Sequence, residues 1–106
     1  MPEEGKTLRD YITAYARRAK DDQFDKVVGV LGCDRDLLVE MCAADLGEEN
    51  LNEFGRFDRL KKSVDVEKAA AYFERRDGAP VTRFKANMLA AGLLKNFVLN
   101  GGVEVE

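Results

Sequence analysis

The sequence contains no histidine, two cysteines and two prolines. Without histidine, the commonest general acid or base of enzymes is missing. A zinc site would need more ligands than the two thiols of Cys33 and Cys42. We therefore predict no catalytic residue, no metal site and no bound cofactor in this chain. The two thiols are expected to be reduced and buried or half-buried.

The sequence also lacks the glycine-rich motifs of nucleotide-binding and hydrolytic enzymes. It has no P-loop, no dinucleotide-binding fingerprint and no nucleophile elbow. Carboxylates are numerous, but helix caps and a solvated surface account for nearly all of them, and no pattern selects a catalytic pair. An independent enzyme is thus the least favoured class.

Long apolar runs are missing as well. The most apolar region, residues 86–99, is interrupted by Asn87, Lys95 and Asn96, whereas a membrane-spanning helix needs about 20 apolar residues. The first residues are acidic and are not followed by an apolar run, so no secretory signal is predicted. We expect a cytoplasmic protein without a membrane partner.

There is no excess of positive charge. The 17 basic and 20 acidic residues give a net charge of −3, while nucleic-acid-binding modules are usually basic. Any basic surface must therefore be local. With 106 residues, 45% of them apolar and 35% charged, the chain suits one ordered domain with one core.

The apolar residues recur every three or four positions, which is the helical period. Capping and stop signals divide the pattern into helices. The first expected helix begins at Thr7. The five that follow run from Asp21–Asp22 to Gly32, from Asp34 to Gly47, from about Leu51 to Lys62, from Asp65 to Gly78, and from about Arg83 to Leu99. No segment alternates with period two. We predict an all-α fold, a compact single-domain bundle of about six short helices over residues 1–106, with flexible ends at 1–6 and 103–106.

The middle of the chain carries two phenylalanines, Phe54 and Phe57, on either side of Gly55. We expect both rings to be buried and to join the two halves of the chain. Because glycine inside a helix costs roughly 1 kcal/mol relative to alanine, the segment either continues through Gly55 or breaks there into two short turns; we favour one distorted helix. The predicted core residues are Phe54, Phe57, Leu60, Phe73, Leu93 and Phe97.

A basic run follows these rings. Arg56, Arg59 and Lys62 are spaced by three residues and share a helix face. One interpretation is a solvated face paired locally with Asp58 or Glu53. The other is a docking patch for an acidic partner surface or a phosphate backbone. Three charges on one face would bind nucleic acid weakly and with strong salt dependence.

Four blocks of the sequence resemble a known family. The segment 50–65 (NLNEFGRFDRLKKSVD) resembles the most distinctive stretch of the C-terminal helical domain of type I restriction enzyme R subunits. The segments 6–12 (KTLRDYI), 68–74 (KAAAYFE) and 93–102 (LLKNFVLNGG) are similar to other parts of that domain. They occur in the family's order and are distributed over nearly the whole chain, from residue 6 to residue 102.

The resemblance implies that the chain is the C-terminal assembly domain of a large R subunit. Such a subunit is an ATP-dependent DNA translocase and site-specific endonuclease that uses ATP and Mg²⁺, and its nuclease and motor motifs lie elsewhere. The implied role is docking onto the methyltransferase core of modification and specificity subunits, with DNA reached through the full complex. The alternative is a nucleic-acid-binding helical module that uses the Arg56, Arg59 and Lys62 face.

Overall fold

The computed structural model describes residues 21–44 and 46–103. This part of the chain is all-α, as predicted, and contains no strand. Its helices are α1 (residues 21–31 of the described part), α2 (Arg35–Ala43), α3 (Arg56–Lys62), α4 (Val66–Asp77) and α5 (Arg83–Leu99), with two 3-10 turns at Glu48–Asn50 and Glu53–Gly55. The predicted helix from Thr7 and the predicted flexible end 1–6 lie outside the described residues.

Several helix boundaries follow from local capping. The side chain of Asp34 accepts a hydrogen bond from the Leu37 N–H and begins α2, as predicted. The Asp65 side chain accepts hydrogen bonds from the N–H groups of Glu67 and Lys68 at the beginning of α4. Gly78 caps the other end of α4 with a left-handed φ of 71°. Two boundaries were predicted wrongly. Asp21 and Asp22 already lie within α1 and do not cap it, and α2 ends at Ala43, before Gly47.

The core is a single cluster with α5 at its centre. This helix packs against α2, α3 and α4. Its buried residues are Ala86, Ala90, Leu94, Phe97 and Val98. Phe97 meets Phe24 of α1 edge to face, with 5.5 Å between the ring centres. Among the predicted core residues, Phe57, Leu60, Phe73 and Phe97 are buried and Leu93 is partly buried against the cluster. No helix in the described part of the chain has the length and apolar character needed to cross a membrane.

Phe54 does not belong to this core, and its predicted burial is wrong. Its side chain is 77% exposed. Its backbone is left-handed, with φ 59° and ψ 20°, and Gly55 follows with φ 69°. Two successive left-handed residues interrupt the helical path and separate the ring from that of Phe57. The favoured single helix is therefore wrong, and the alternative break at Gly55 is the one that forms.

An asparagine side chain compensates for the missing cap at this break. Gly55 occupies the N-cap position of α3 and has no side chain to offer. The Asp58 N–H instead donates to Asn52 Oδ1 at 2.9 Å, and Asn52 Nδ2 donates back to Asp58 Oδ2 at 3.2 Å. This reciprocal pair resembles a capping box, except that the capping side chain comes from Asn52, three residues before the N-cap position. The bond from Asn52 and a second from Lys61 lower the pKa of the Asp58 carboxyl.

The two halves of the chain are tied together at a different place, which we call the turn junction: residues 31–34 and 60–65. The Asp65 N–H donates to the Leu31 carbonyl at 2.8 Å. The Asp34 N–H donates to Ser63 Oγ at 2.9 Å, and that hydroxyl donates to the Leu60 carbonyl at 2.6 Å. Gly32 lies against this contact with φ 65°, and a Cβ added there would lie 2.7 Å from the Asp65 Cβ.

We expect Phe57→Ala to lower the free energy of unfolding by about 3 kcal/mol or more, because the buried ring leaves a cavity. Phe54→Ala should change it by no more than about 0.5 kcal/mol, as at other exposed sites. Phe54→Gly should raise it by about 1 kcal/mol, since glycine adopts a positive φ without the steric cost of a Cβ. Urea unfolding followed by circular dichroism measures all three. Equal losses for the two alanine variants would contradict the assignment of Phe54 to the surface.

Gly32→Ala should destabilise the protein by about 2 kcal/mol or more, because alanine is strained at positive φ and its Cβ meets Asp65. Gly29→Ala is the matched control. Gly29 is exposed within α1, and a Cβ there has open space around it. That variant should gain roughly 0.5–1 kcal/mol from helix propensity. The same denaturant titration compares them, and a Gly32→Ala protein as stable as the control would disprove close packing at the turn junction.

Candidate functional site

Helix α5 has apolar side chains on all sides, not only on the side that faces the core. Phe84 and Met88, one helical turn apart, are 75% and 59% exposed. A helix on the surface of a globular domain normally turns a polar face to water, and one that is apolar all round is normally buried. The outward side of α5 therefore resembles a surface that a further element covers.

These two side chains form one wall of a groove of about 610 Å³ between α3 and α5, which we call the α3–α5 groove. The opposite wall is the C-terminal half of α3 and the turn into α4. Its apolar lining residues are Val64, Val66, Phe84, Met88 and Ala91, and its polar lining residues are Asp58, Lys61, Lys62 and Asn87. The site thus combines an apolar surface with two lysines.

The structure separates the three basic residues predicted as one patch. Arg56 turns towards α2, where its guanidinium lies 3.5 Å from Glu40 Oε1 and 5.5 Å from the centre of the Phe54 ring. Its side chain is only 20% exposed. Arg56 pairs with neither Glu53 nor Asp58, and the local pair that forms within the basic run is that of Lys61 with Asp58. Arg56 therefore acts mainly as a contact between α3 and α2.

Arg59 and Lys62 remain available to a partner. Both are exposed, and neither forms an ion pair with any residue in the described ranges. Lys62 lines the α3–α5 groove. Lys61 is engaged on its own helix, 3.3 Å from Asp58 Oδ1 and 5.3 Å from the centre of the Phe57 ring. The predicted patch is thereby reduced to two charges, of which Lys62 lines the groove.

Two cations of α5 form ion pairs with neighbouring elements. Arg83 pairs with Glu67 of α4, and Lys95 Nζ lies 2.7 Å from Glu48 Oε1, which lowers the pKa of Glu48. Both pairs are well exposed, so each adds little to stability.

Sequence reasoning missed Phe84 and Met88. The helical period predicts one core stripe on this helix, made of Ala86, Leu89, Ala90, Leu93, Leu94, Phe97 and Val98. Phe84 and Met88 lie four residues apart and outside that stripe, so the pattern contained a second apolar face. A search of the sequence for two apolar faces on this helix would have identified Phe84 and Met88.

A second, smaller groove of about 320 Å³ lies between α4 and α5. Met88 borders both grooves, and Gly92 lines the smaller one. A Cβ added at Gly92 would meet nothing within 4 Å. Glycine at this helical position therefore has no packing reason within the described structure.

The described ranges contain no cluster of metal-ligating side chains. No group of three or more histidine, cysteine, aspartate or glutamate residues there could hold a metal ion. Cys33 and Cys42 are buried and not bonded to each other. Burial raises the pKa of the Cys33 thiol to about 11, so this thiol stays protonated at neutral pH and is a poor nucleophile.

Gly92→Ala should raise the free energy of unfolding by roughly 0.5–1 kcal/mol, because alanine has the higher helix propensity and the added methyl group enters open space. The thermal or urea midpoint measures this change. The gain should equal that of Gly29→Ala within error. A loss of stability would show that Gly92 is packed.

Comparisons with known proteins found no matching family model, no matching curated protein and no matching solved structure. The resemblance to type I restriction R subunits therefore depends on the sequence blocks quoted above.

Proposed function

We propose that this chain is an assembly domain that docks one protein onto another. The observation that carries the proposal is the outward face of α5, where Phe84 and Met88 are exposed next to the α3–α5 groove. Fully burying a phenylalanine or methionine side chain is worth about 1.5–3 kcal/mol. Covering both would make a strong centre for a protein interface.

The sequence resemblance makes the proposal more specific. We propose that the chain is the C-terminal domain of a type I restriction R subunit and that its partner is the methyltransferase core of modification and specificity subunits. The parent would be a cytoplasmic ATP-dependent translocase and endonuclease that uses Mg²⁺. In this proposal the domain supplies no catalytic residue, binds no cofactor and reaches DNA only through the full complex.

A nucleic-acid-binding module is the second candidate. Arg59 and Lys62 favour it, because both are exposed and form no ion pair within the described ranges. Arg56 supports it less, because it is engaged by Glu40. Two phosphate contacts would give a salt slope no steeper than about −2. The net charge of −3 also opposes approach to a phosphate backbone.

Both candidates are tested by mixing the chain with a methyltransferase core from the same genome and, separately, with duplex DNA. We expect the chain to co-elute with the core in size-exclusion chromatography at about 0.15 M salt and to bind DNA alone only weakly. Arg59→Glu with Lys62→Glu should weaken core binding about tenfold. Lys68→Glu with Arg75→Glu, at two exposed cations of α4 outside both grooves, is the charge-matched control.

Two outcomes would contradict this proposal. If the wild-type chain fails to co-elute with the core, the identification of the partner is wrong. If it binds DNA tightly while ignoring the core, the nucleic-acid module replaces the assembly domain.

A further inference from the structure

We infer that the α3–α5 groove binds an amphipathic helix of the partner protein, with apolar residues facing α5 and acidic residues facing α3. This inference rests on the proposed function, because it specifies the surface and the chemistry of the docking. It also replaces the predicted patch of Arg56, Arg59 and Lys62 as the centre of the interface.

The apolar lining matches one side of a helix. Phe84 and Met88 are spaced by four residues along α5, while Val64 and Val66 lie across the groove from them. A helix laid into such a groove presents side chains at positions i, i+3, i+4 and i+7. Methionine adapts its shape to the side chains it meets. The groove therefore suits a row of aliphatic or aromatic anchors.

The charge on the α3 side selects the partner's polar residues. The groove is lined by two lysines and one carboxylate. That carboxylate, Asp58, is already occupied by Asn52 and Lys61. Lys62 forms no ion pair within the described ranges. Arg59, three residues before it on α3, forms none there either. Glutamate or aspartate on the bound helix would complement these cations, whereas lysine or arginine would be repelled.

The same features disfavour a nucleic acid as the occupant. A phosphate backbone would leave Phe84 and Met88 without an apolar partner, since its contacts are electrostatic. A second copy of this chain is an alternative occupant that the test distinguishes. An acidic amphipathic helix satisfies the apolar and the charged parts of the groove together.

The test uses the whole 106-residue chain and a fluorescent helical peptide of about 20 residues. The peptide carries leucines at i, i+3, i+4 and i+7 and glutamates on either side of them. A matched peptide carries lysines in place of the glutamates. We expect the acidic peptide to bind at least about tenfold more tightly in fluorescence anisotropy, which corresponds to about 1.4 kcal/mol. Lys61→Glu with Lys62→Glu should reverse this preference.

The apolar contacts are tested with Phe84→Ser combined with Met88→Ser. Both side chains are exposed, so the variant should keep its circular dichroism spectrum while losing at least about tenfold in affinity. Phe54→Ser is the matched control, because Phe54 is equally exposed but does not line the groove. Equal binding of the two peptides, or an unchanged affinity in the double serine variant, would overturn the inference.

Core binding separates this inference from the proposed function. If the double serine variant binds the methyltransferase core as tightly as the wild type, the groove is not the docking site, although the assembly role stands. If the wild type binds the acidic peptide but not the core, the proposed partner is wrong and the groove remains a helix-binding site. If the wild type forms a dimer that the double serine substitution abolishes, a second copy occupies the groove and the inference fails.

Discussion

The turn junction sets the relative positions of the helices on which the rest of the fold depends. A single backbone hydrogen bond from Asp65 to Leu31 joins the end of α1 to the beginning of α4. The Ser63 hydroxyl joins the end of α3 to the beginning of α2. Because Asp34 and Asp65 also cap their own helices, the junction orients α2 and α4. Together with α3, they form the surface against which α5 packs.

Packing against three helices explains the composition of α5. A helix that meets neighbours on several sides needs apolar residues around most of its circumference. Ala86, Ala90 and Leu94 serve the contacts within the domain, whereas Phe84 and Met88 project where no described element covers them. The groove beside them joins this apolar face to the lysines at the end of α3. The proposed docking site thus arises where the central helix has one side left uncovered.

The central segment shows why local spacing predicted part of the fold correctly and part of it wrongly. Phe54 and Phe57 would share a face only in a continuous helix. The backbone instead takes two left-handed residues at Phe54 and Gly55, and only Phe57 enters the core. A phenylalanine at positive φ is costly. The Asn52–Asp58 pair, which lies outside the helical period, helps to hold the turn that contains it.

The amino-acid pattern alone established the all-α class, the caps at Asp34 and Asp65, and four of the core residues, because capping and helical period depend on neighbours a few positions apart. The tertiary structure determined the orientation of Arg56, whose partner Glu40 lies sixteen positions earlier. It also determined which apolar face of α5 is buried. Both outcomes depend on contacts between helices distant in sequence, and no local period encodes those contacts. The exposed face of α5 and the lysines beside it could therefore be recognised as one site only after the helices were packed.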